Sequence, residues 1–252
     1  MYITIMIDKA SNIIPKLIIV EGVDNVGKDF VINIINEILR EYYDKRNKWF
    51  SSIINIHCLK PNYGTEELSH EGKIGLTTII YKGMMEECLN KLDNSDAIIM
   101  NRSYLSEFVY GKLYRHNTFT ERDKQLKEIN DSILSSIKVN QGNMPSYFYR
   151  KSDEELKRAI YDNILYIQLT APKEWLLLHD DGKSQSENDE LLIKMELDNF
   201  ECLYQKEFPF SKAKLETVEY VYEQTNPYPH IEWKSKETLT RELKRILNIE
   251  HE

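Results

Sequence analysis

The chain has 252 residues, with 41 acidic against 33 basic side chains and a formal net charge of −8. A hydrophobic fraction of 41% and a charged fraction of 29% exclude a disordered or collagen-like chain. The acidic balance argues against duplex nucleic acid or an anionic membrane as the main partner. The three cysteines, Cys58, Cys88 and Cys202, are odd in number and lack C-x-x-C spacing. They fit a reducing cytoplasm and argue against a disulfide framework or a zinc site. Residues 1–8 lack a basic region and a small-residue cleavage site, so they do not read as a signal peptide. Pro15 and Lys16 interrupt the nearby apolar stretch well short of the ~20 residues a membrane span needs. A cytoplasmic protein is expected. The chain holds only nine glycines, about half the usual frequency, so each should sit where the backbone requires it.

Residues 17–20 form a continuous apolar run suited to a buried parallel strand. After Gly27, apolar side chains recur at Val31, Ile34, Ile35, Ile38, Leu39 and Tyr42, one face of an amphipathic helix. A second strand is expected at 53–56, a helix at 77–92, a third strand at 97–100 and a helix at 106–114. Residues 165–169 read as the fourth strand and 218–222 as the fifth. The last helix opens at Ser235, with Leu239, Leu243, Ile246 and Leu247 on one face. Such alternation predicts an α/β fold, a parallel sheet of about five strands flanked by helices. Between 115 and 162 the alternation lapses. Leu126, Ile129, Ile133, Leu134 and Ile137 mark one helix, a loop follows at 141–145, and Ser152 with Glu155 forms a capping box for another. No linker-like tract bounds this stretch, so the expectation is one domain spanning 1–252 with a helical insertion at about 115–162.

The segment around residues 21–29 carries most of the functional information. Gly22 and Gly27 stand five apart, Lys28 follows directly, and the group lies between an apolar strand and an amphipathic helix. That is the G-x-x-x-x-G-K arrangement in which backbone N–H groups of Gly22, Asn25, Val26 and Gly27 cradle phosphate oxygens. The helix N-terminus adds partial positive charge, and the lysine reaches the β and γ phosphates. The motif normally ends in Ser or Thr, whose hydroxyl ligates Mg²⁺; here Asp29 stands there. Asp29 either ligates the metal itself or is a first-turn acid favoured by the helix dipole.

The stretch from Glu21 to Lys28 resembles the E-G-x-D-x-x-G-K loop of the thymidylate kinase family of P-loop nucleoside monophosphate kinases. Asn101, Arg102, Ser106, Tyr110 and Gly111 are similar to positions of that family's D-R-Y-x-x-S-x-x-A-Y-Q-G segment. Lys60, Pro61, Gly64 and Thr65 echo its R-E-P-G-G-T. The likeness spans about residues 16–112, and it implies a deoxynucleoside monophosphate kinase of the kind tailed phages encode, working in the host cytoplasm. By that resemblance the substrates are ATP and a deoxynucleoside monophosphate, with Mg²⁺ as the metal and a homodimer as a possible assembly. Lys28 would neutralise the donor phosphates, and Arg102 would hold the acceptor phosphate and the transferring group. Asp24 would bind the sugar 3′-hydroxyl and Lys60 would line the acceptor loop. Tyr110 would pack on the sugar and Tyr81 would stack on the acceptor base; for both, plain core packing is an equal reading.

Three departures from the family pattern shape the expectation. Asn101 replaces an acidic residue near Mg²⁺ while Asp29 adds one, so the two changes are expected to compensate. Met85 falls where thymidylate kinases carry a base-reading arginine, and an apolar, adaptable side chain implies broad base acceptance. The lid candidate at about 179–186 has no arginine; Lys183 is its cation, as a phosphate partner or as a solvated loop residue. Two alternatives stay open, a deoxynucleoside kinase with a 5′-hydroxyl acceptor and a non-catalytic nucleotide-binding switch.

Overall fold

The computed structural model describes residues 14–46, 52–58, 68–92, 95–139, 161–179, 189–221 and 230–249. Five strands form one parallel sheet: β1 (Leu17–Glu21), β2 (Ile53–His57), β3 (Ala97–Asn101), β4 (Ile164–Thr170) and β5 (Ser211–Glu216). Their order is β2-β3-β1-β4-β5, with β1 central between β3 (Ile18 opposite Ile99) and β4 (Ile18 opposite Leu165). All five residues of β1 and of β3 are buried, as expected for strands covered on both faces.

Helix α1 (Lys28–Lys45) follows β1. It buries Val31, Ile34, Ile35, Ile38 and Leu39 as the periodicity predicts, and Tyr43 in place of Tyr42. The Tyr43 hydroxyl donates to the Asp96 carbonyl at 3.0 Å, which ties the helix end to the start of β3. Helix α2 (His70–Leu92) begins seven residues before the expected start. Ser69 Oγ accepts from the Gly72 amide at 3.1 Å, the bond that caps a helix. Gly72 and Gly75 in its first turns hid that start. Helix α3 (Ser106–Arg115) follows β3, and α4 (Phe119–Val139) lies in the expected insertion. There Gln125 Nε2 donates to Thr78 Oγ1 at 3.0 Å, and the Tyr104 hydroxyl donates to Asn130 Oδ1 at 2.6 Å. This first part of the insertion therefore braces α2 and the turn after β3. The loop at 141–145 and the helix start at Ser152 lie outside the described residues.

After β4 come α5 (Lys173–Leu178) and α6 (Glu190–Gln205), then the clearest correction to the expected fold. The fifth strand of the sheet is β5, not 218–222. Residues Val218–Val221 form β6, which pairs antiparallel with β7 (His230–Trp233) in a separate hairpin. The sequence of β5, Ser-Lys-Ala-Lys-Leu-Glu, masks it because lysines alternate with its buried Ala213 and Leu215. Lys212 Nζ donates to the carbonyls of Tyr204 and Lys206, and Lys214 pairs with Glu201. The edge strand thus covers one face with charge, a common device against edge pairing. Helix α7 (Lys236–Ile246) closes the described fold, capped by Ser235 Oγ accepting from the Thr238 amide at 3.1 Å. Leu239, Leu243, Ile246 and Leu247 are buried as predicted, and Lys236 pairs with Glu37 of α1 at 2.8 Å. Among the described residues no helix is long and apolar enough to cross a membrane.

Candidate active site

The site forms where β1 and β3, neighbours in the sheet, end at the same level. Crevices outside the carboxyl ends of parallel strands are where such sheets bind ligands. The loop from Gly22 to Gly27 leaves β1 and enters α1. Gly22 has φ 151°, and a Cβ there would lie 2.8 Å from the Leu169 carbonyl oxygen of β4 and 2.9 Å from Val26 Cγ1. Gly27, the residue before α1, is left-handed at φ 85°, and its missing Cβ would lie 2.7 Å from the Trp233 ring. Both glycines are therefore demanded by conformation and by close approach. Lys28 folds back over the loop, its Nζ donating to the Val23 carbonyl at 2.6 Å and the Gly22 carbonyl at 3.2 Å. Loss of water around the ammonium, reinforced by the Arg102 charge, lowers the Lys28 pKa to about 7 against the opposing pull of Asp24, Glu21 and Asp29.

Arg102 stands directly after β3 in the left-handed region, φ 67°, a conformation that costs a side-chain-bearing residue roughly 1–2 kcal/mol. The surroundings hold it there. Its amide donates to the Val20 carbonyl of β1 at 3.0 Å. On its far side, the fully buried Glu21 carboxylate accepts from the Ser103 amide (2.7 Å), Ser103 Oγ (2.8 Å) and Ser106 Oγ (2.6 Å). Burial raises the Glu21 pKa, and those bonds with the Arg102 charge oppose the rise. The Arg102 side chain is itself buried, paired with Asp24 of the phosphate loop, and lies over the Tyr110 ring with its guanidinium carbon 4.9 Å from the centroid. Burial disfavours the cation, but the pull of Tyr110, Asp24 and Glu21 prevails and the Arg102 pKa is raised. It is charged at any working pH.

The expected site residues therefore separate into three groups. Gly22, Asp24, Asn25, Val26, Gly27, Lys28, Asp29 and Arg102 belong to or adjoin the phosphate loop, while Tyr110 lies under Arg102 as a buried member of the main core. Tyr81 and Met85 are buried on α2 as members of the main core. Lys60 and Lys183 lie outside the described residues. Asn101 and Asp29, the two departures paired from sequence, are in contact: Asn101 Nδ2 donates to Asp29 Oδ1 at 2.6 Å.

Three contributions escaped the sequence reading. Glu21 opens the loop that carries the resemblance, but its role as the clamp of the Arg102 turn was not read from it. Glu196 of α6 accepts from the Tyr114 hydroxyl, while Tyr114 stacks on Tyr110 with centroids 6.0 Å apart. Burial, with the charge of Asp24, lifts the Glu196 carboxyl to about 7, although the Tyr114 bond and the Arg102 and Lys28 charges oppose it. Trp233 comes from β7, a strand with no counterpart in the expected fold.

No family model and no curated protein sequence matches the chain. Among solved structures, thymidylate kinase from Ehrlichia chaffeensis superposes with a TM-score of 0.52 at 12% identity, covering 92% of this chain and 98% of that one. The YorR protein of Bacillus subtilis, solved in complex with phosphorylated GDP, gives 0.48 at 14% identity, covering 93% and 97%. The fold is that of the P-loop nucleoside monophosphate kinases. Here the loop after β1 leads into Lys28 and the turn after β3 carries Arg102, at the carboxyl ends of adjacent strands.

Proposed function

We propose that the chain is a deoxynucleoside monophosphate kinase, moving the γ-phosphoryl group of ATP onto a deoxynucleoside 5′-monophosphate with broad base acceptance. The observation that carries this reading is the pair of cations at the ends of adjacent strands. Lys28 lies in a phosphate loop, and Arg102 is buried, bound to Asp24 of that loop and locked in a strained turn. Phosphoryl transfer asks a protein for alignment and charge neutralisation rather than covalent chemistry. An acceptor phosphate oxygen attacks the γ-phosphorus, the bond to the β–γ bridging oxygen breaks, and ADP leaves with that electron pair. A phosphate acceptor is already anionic, so this step needs no general base. A 5′-hydroxyl acceptor would need one, and each carboxylate near the loop is engaged: Glu21 by Ser103 and Ser106, Asp24 by Arg102, Asp29 by Asn101 and Glu196 by the Tyr114 hydroxyl. This supports the monophosphate over the nucleoside as acceptor.

The test is a coupled assay of ADP formation with dAMP, dGMP, dCMP and dTMP, their ribose counterparts and the free deoxynucleosides. Comparable turnover of several deoxynucleotides is expected. Selectivity for dTMP alone would refute the role given to Met85, turnover of nucleosides only would refute the acceptor class, and tight ATP binding without turnover would mark a switch.

The fold family implies Mg²⁺, and the residues present fit it. Asn101 Oδ1 is buried without a hydrogen-bond partner among the described residues, beside the Asp29 carboxylate. Together they offer two hard oxygen donors, although those residues contain no cluster of three or more His, Cys, Asp or Glu side chains suited to a metal. When bound, Mg²⁺ supplies charge neutralisation on the phosphate chain. Asp29→Ala is expected to raise the Mg²⁺ concentration for half-maximal turnover about tenfold or more, with Asp29→Thr closer to the parent. Unchanged Mg²⁺ dependence in Asp29→Ala would remove the compensation.

A further inference from the structure

The β6–β7 hairpin brings an aromatic group to the phosphate loop that the kinase reading leaves unused. Trp233 closes β7 and lies against Gly27, where any Cβ would meet its ring at 2.7 to 2.8 Å. Trp233 itself remains 39% exposed, unusual for an indole in such a contact. Behind it stands Trp175 of α5, edge to face with centroids 5.1 Å apart. His179 stacks on Trp175 at 3.6 Å. Trp175 is 4% exposed and its Nε1 is buried with no partner among the described residues. Among the described residues, ring packing carries this contact. The chain thus maintains an aromatic step of three rings at the mouth of the loop. Its outer member keeps open surface beside Gly27 of the loop.

We propose that Trp233 is the donor-base platform, a binding residue on which the base of the phosphoryl donor stacks. This deepens the kinase reading and rests on it. A ring face suits this role because every base presents a π surface, and stacking supplies affinity independent of edge hydrogen bonds. The occupant is fixed by continuity. The loop that holds the phosphate chain and the ring that would hold the base share Gly27, so one nucleotide spans both. The same arrangement explains why a glycine is required there beyond its left-handed φ of 85°, since a larger residue would displace the platform.

The experiment compares Trp233→Leu, which retains apolar volume on Gly27, with Trp233→Phe, which retains a ring. Wild type and both variants are titrated calorimetrically with ATP and with tripolyphosphate, which has phosphates and no base. Steady-state kinetics with a deoxynucleoside monophosphate run alongside. Trp233→Leu should weaken ATP about tenfold, the loss expected for one base–aromatic stack. Tripolyphosphate affinity and the acceptor KM should stay at wild-type values, and Trp233→Phe should recover most of the ATP affinity. Equal weakening of ATP and tripolyphosphate would show a prop for the loop and overturn the platform. So would unchanged ATP affinity in Trp233→Leu. Failure of the wild-type protein to bind ATP at all would instead overturn the kinase reading beneath it.

Discussion

Lys28→Met is expected to lower kcat/KM by on the order of 10³ while leaving the fold intact, because it removes a preorganised charge from developing phosphate negative charge. Methionine matches the lysine stem in length and keeps its packing. The stability effect is predictable in sign. A lysine with its pKa near 7 is disfavoured as a cation in the folded protein, and this cost is fully present below pH 7. It fades as pH rises from 7 towards the unfolded value of about 10.4, since there the unfolded chain binds the extra proton. Lys28→Met should therefore be no less stable than wild type below pH 7, with its urea midpoint losing its relative advantage at higher pH. Phosphate binding reverses the bias on the amine. Near pH 8 the wild type should take up a proton with ATP, seen as buffer-dependent binding heats, and its ATP affinity should decline above pH 7. A wild-type protein without buffer dependence at pH 8 would contradict the lowered pKa. Turnover of Lys28→Met within tenfold of wild type would contradict its role.

The residues near Lys28 show what a sequence can carry and where it stops. The order strand, loop, helix was readable because each part has a local physical signature. These are an apolar run, two glycines at fixed spacing, and a 3.6-residue repeat of apolar side chains. Asp29 and Asn101 could be paired by their departures from a pattern, and they meet at 2.6 Å. The strand at Ser211–Glu216 was unreadable for the converse reason. Its lysines serve carbonyls and a glutamate on one face, and only the sheet reveals that Ala213 and Leu215 face the core. Trp233 and Glu196 reach the site from late elements through tertiary packing alone. No local spacing encodes a contact between β7 and the residue preceding α1. The acceptor side divides differently. Tyr81 and Tyr110 pack in the core, the alternative their apolar helix faces already allowed, and Met85 packs there as well; the substrate roles of all three belong to the proposed function alone.

Arg102 supports the second large effect, in activity and in stability together. Arg102→Lys keeps one charge but loses the planar fork that can grip two oxygens at once, and a fall in kcat on the order of 10³ is expected with a raised acceptor KM. Stability separates two opposing terms. Any neutral substitution leaves Asp24 and the buried Glu21 without their cation, a loss of about 3–5 kcal/mol when a buried pair is broken on one side. Glycine would relieve the left-handed backbone at φ 67°, worth roughly 1–2 kcal/mol against alanine. The first term is larger, so both Arg102→Ala and Arg102→Gly should unfold at lower urea than wild type. The order between them should invert the usual one, with glycine the more stable variant. Raising the acidity of the solution should narrow the gap to wild type. Glu21, whose pKa burial raises, is neutralised as the solution is acidified and then no longer needs the cation. Alanine and glycine variants of equal stability would show that the Arg102 turn carries no strain. An alanine variant with wild-type acceptor KM and kcat would show that the guanidinium does not hold the acceptor.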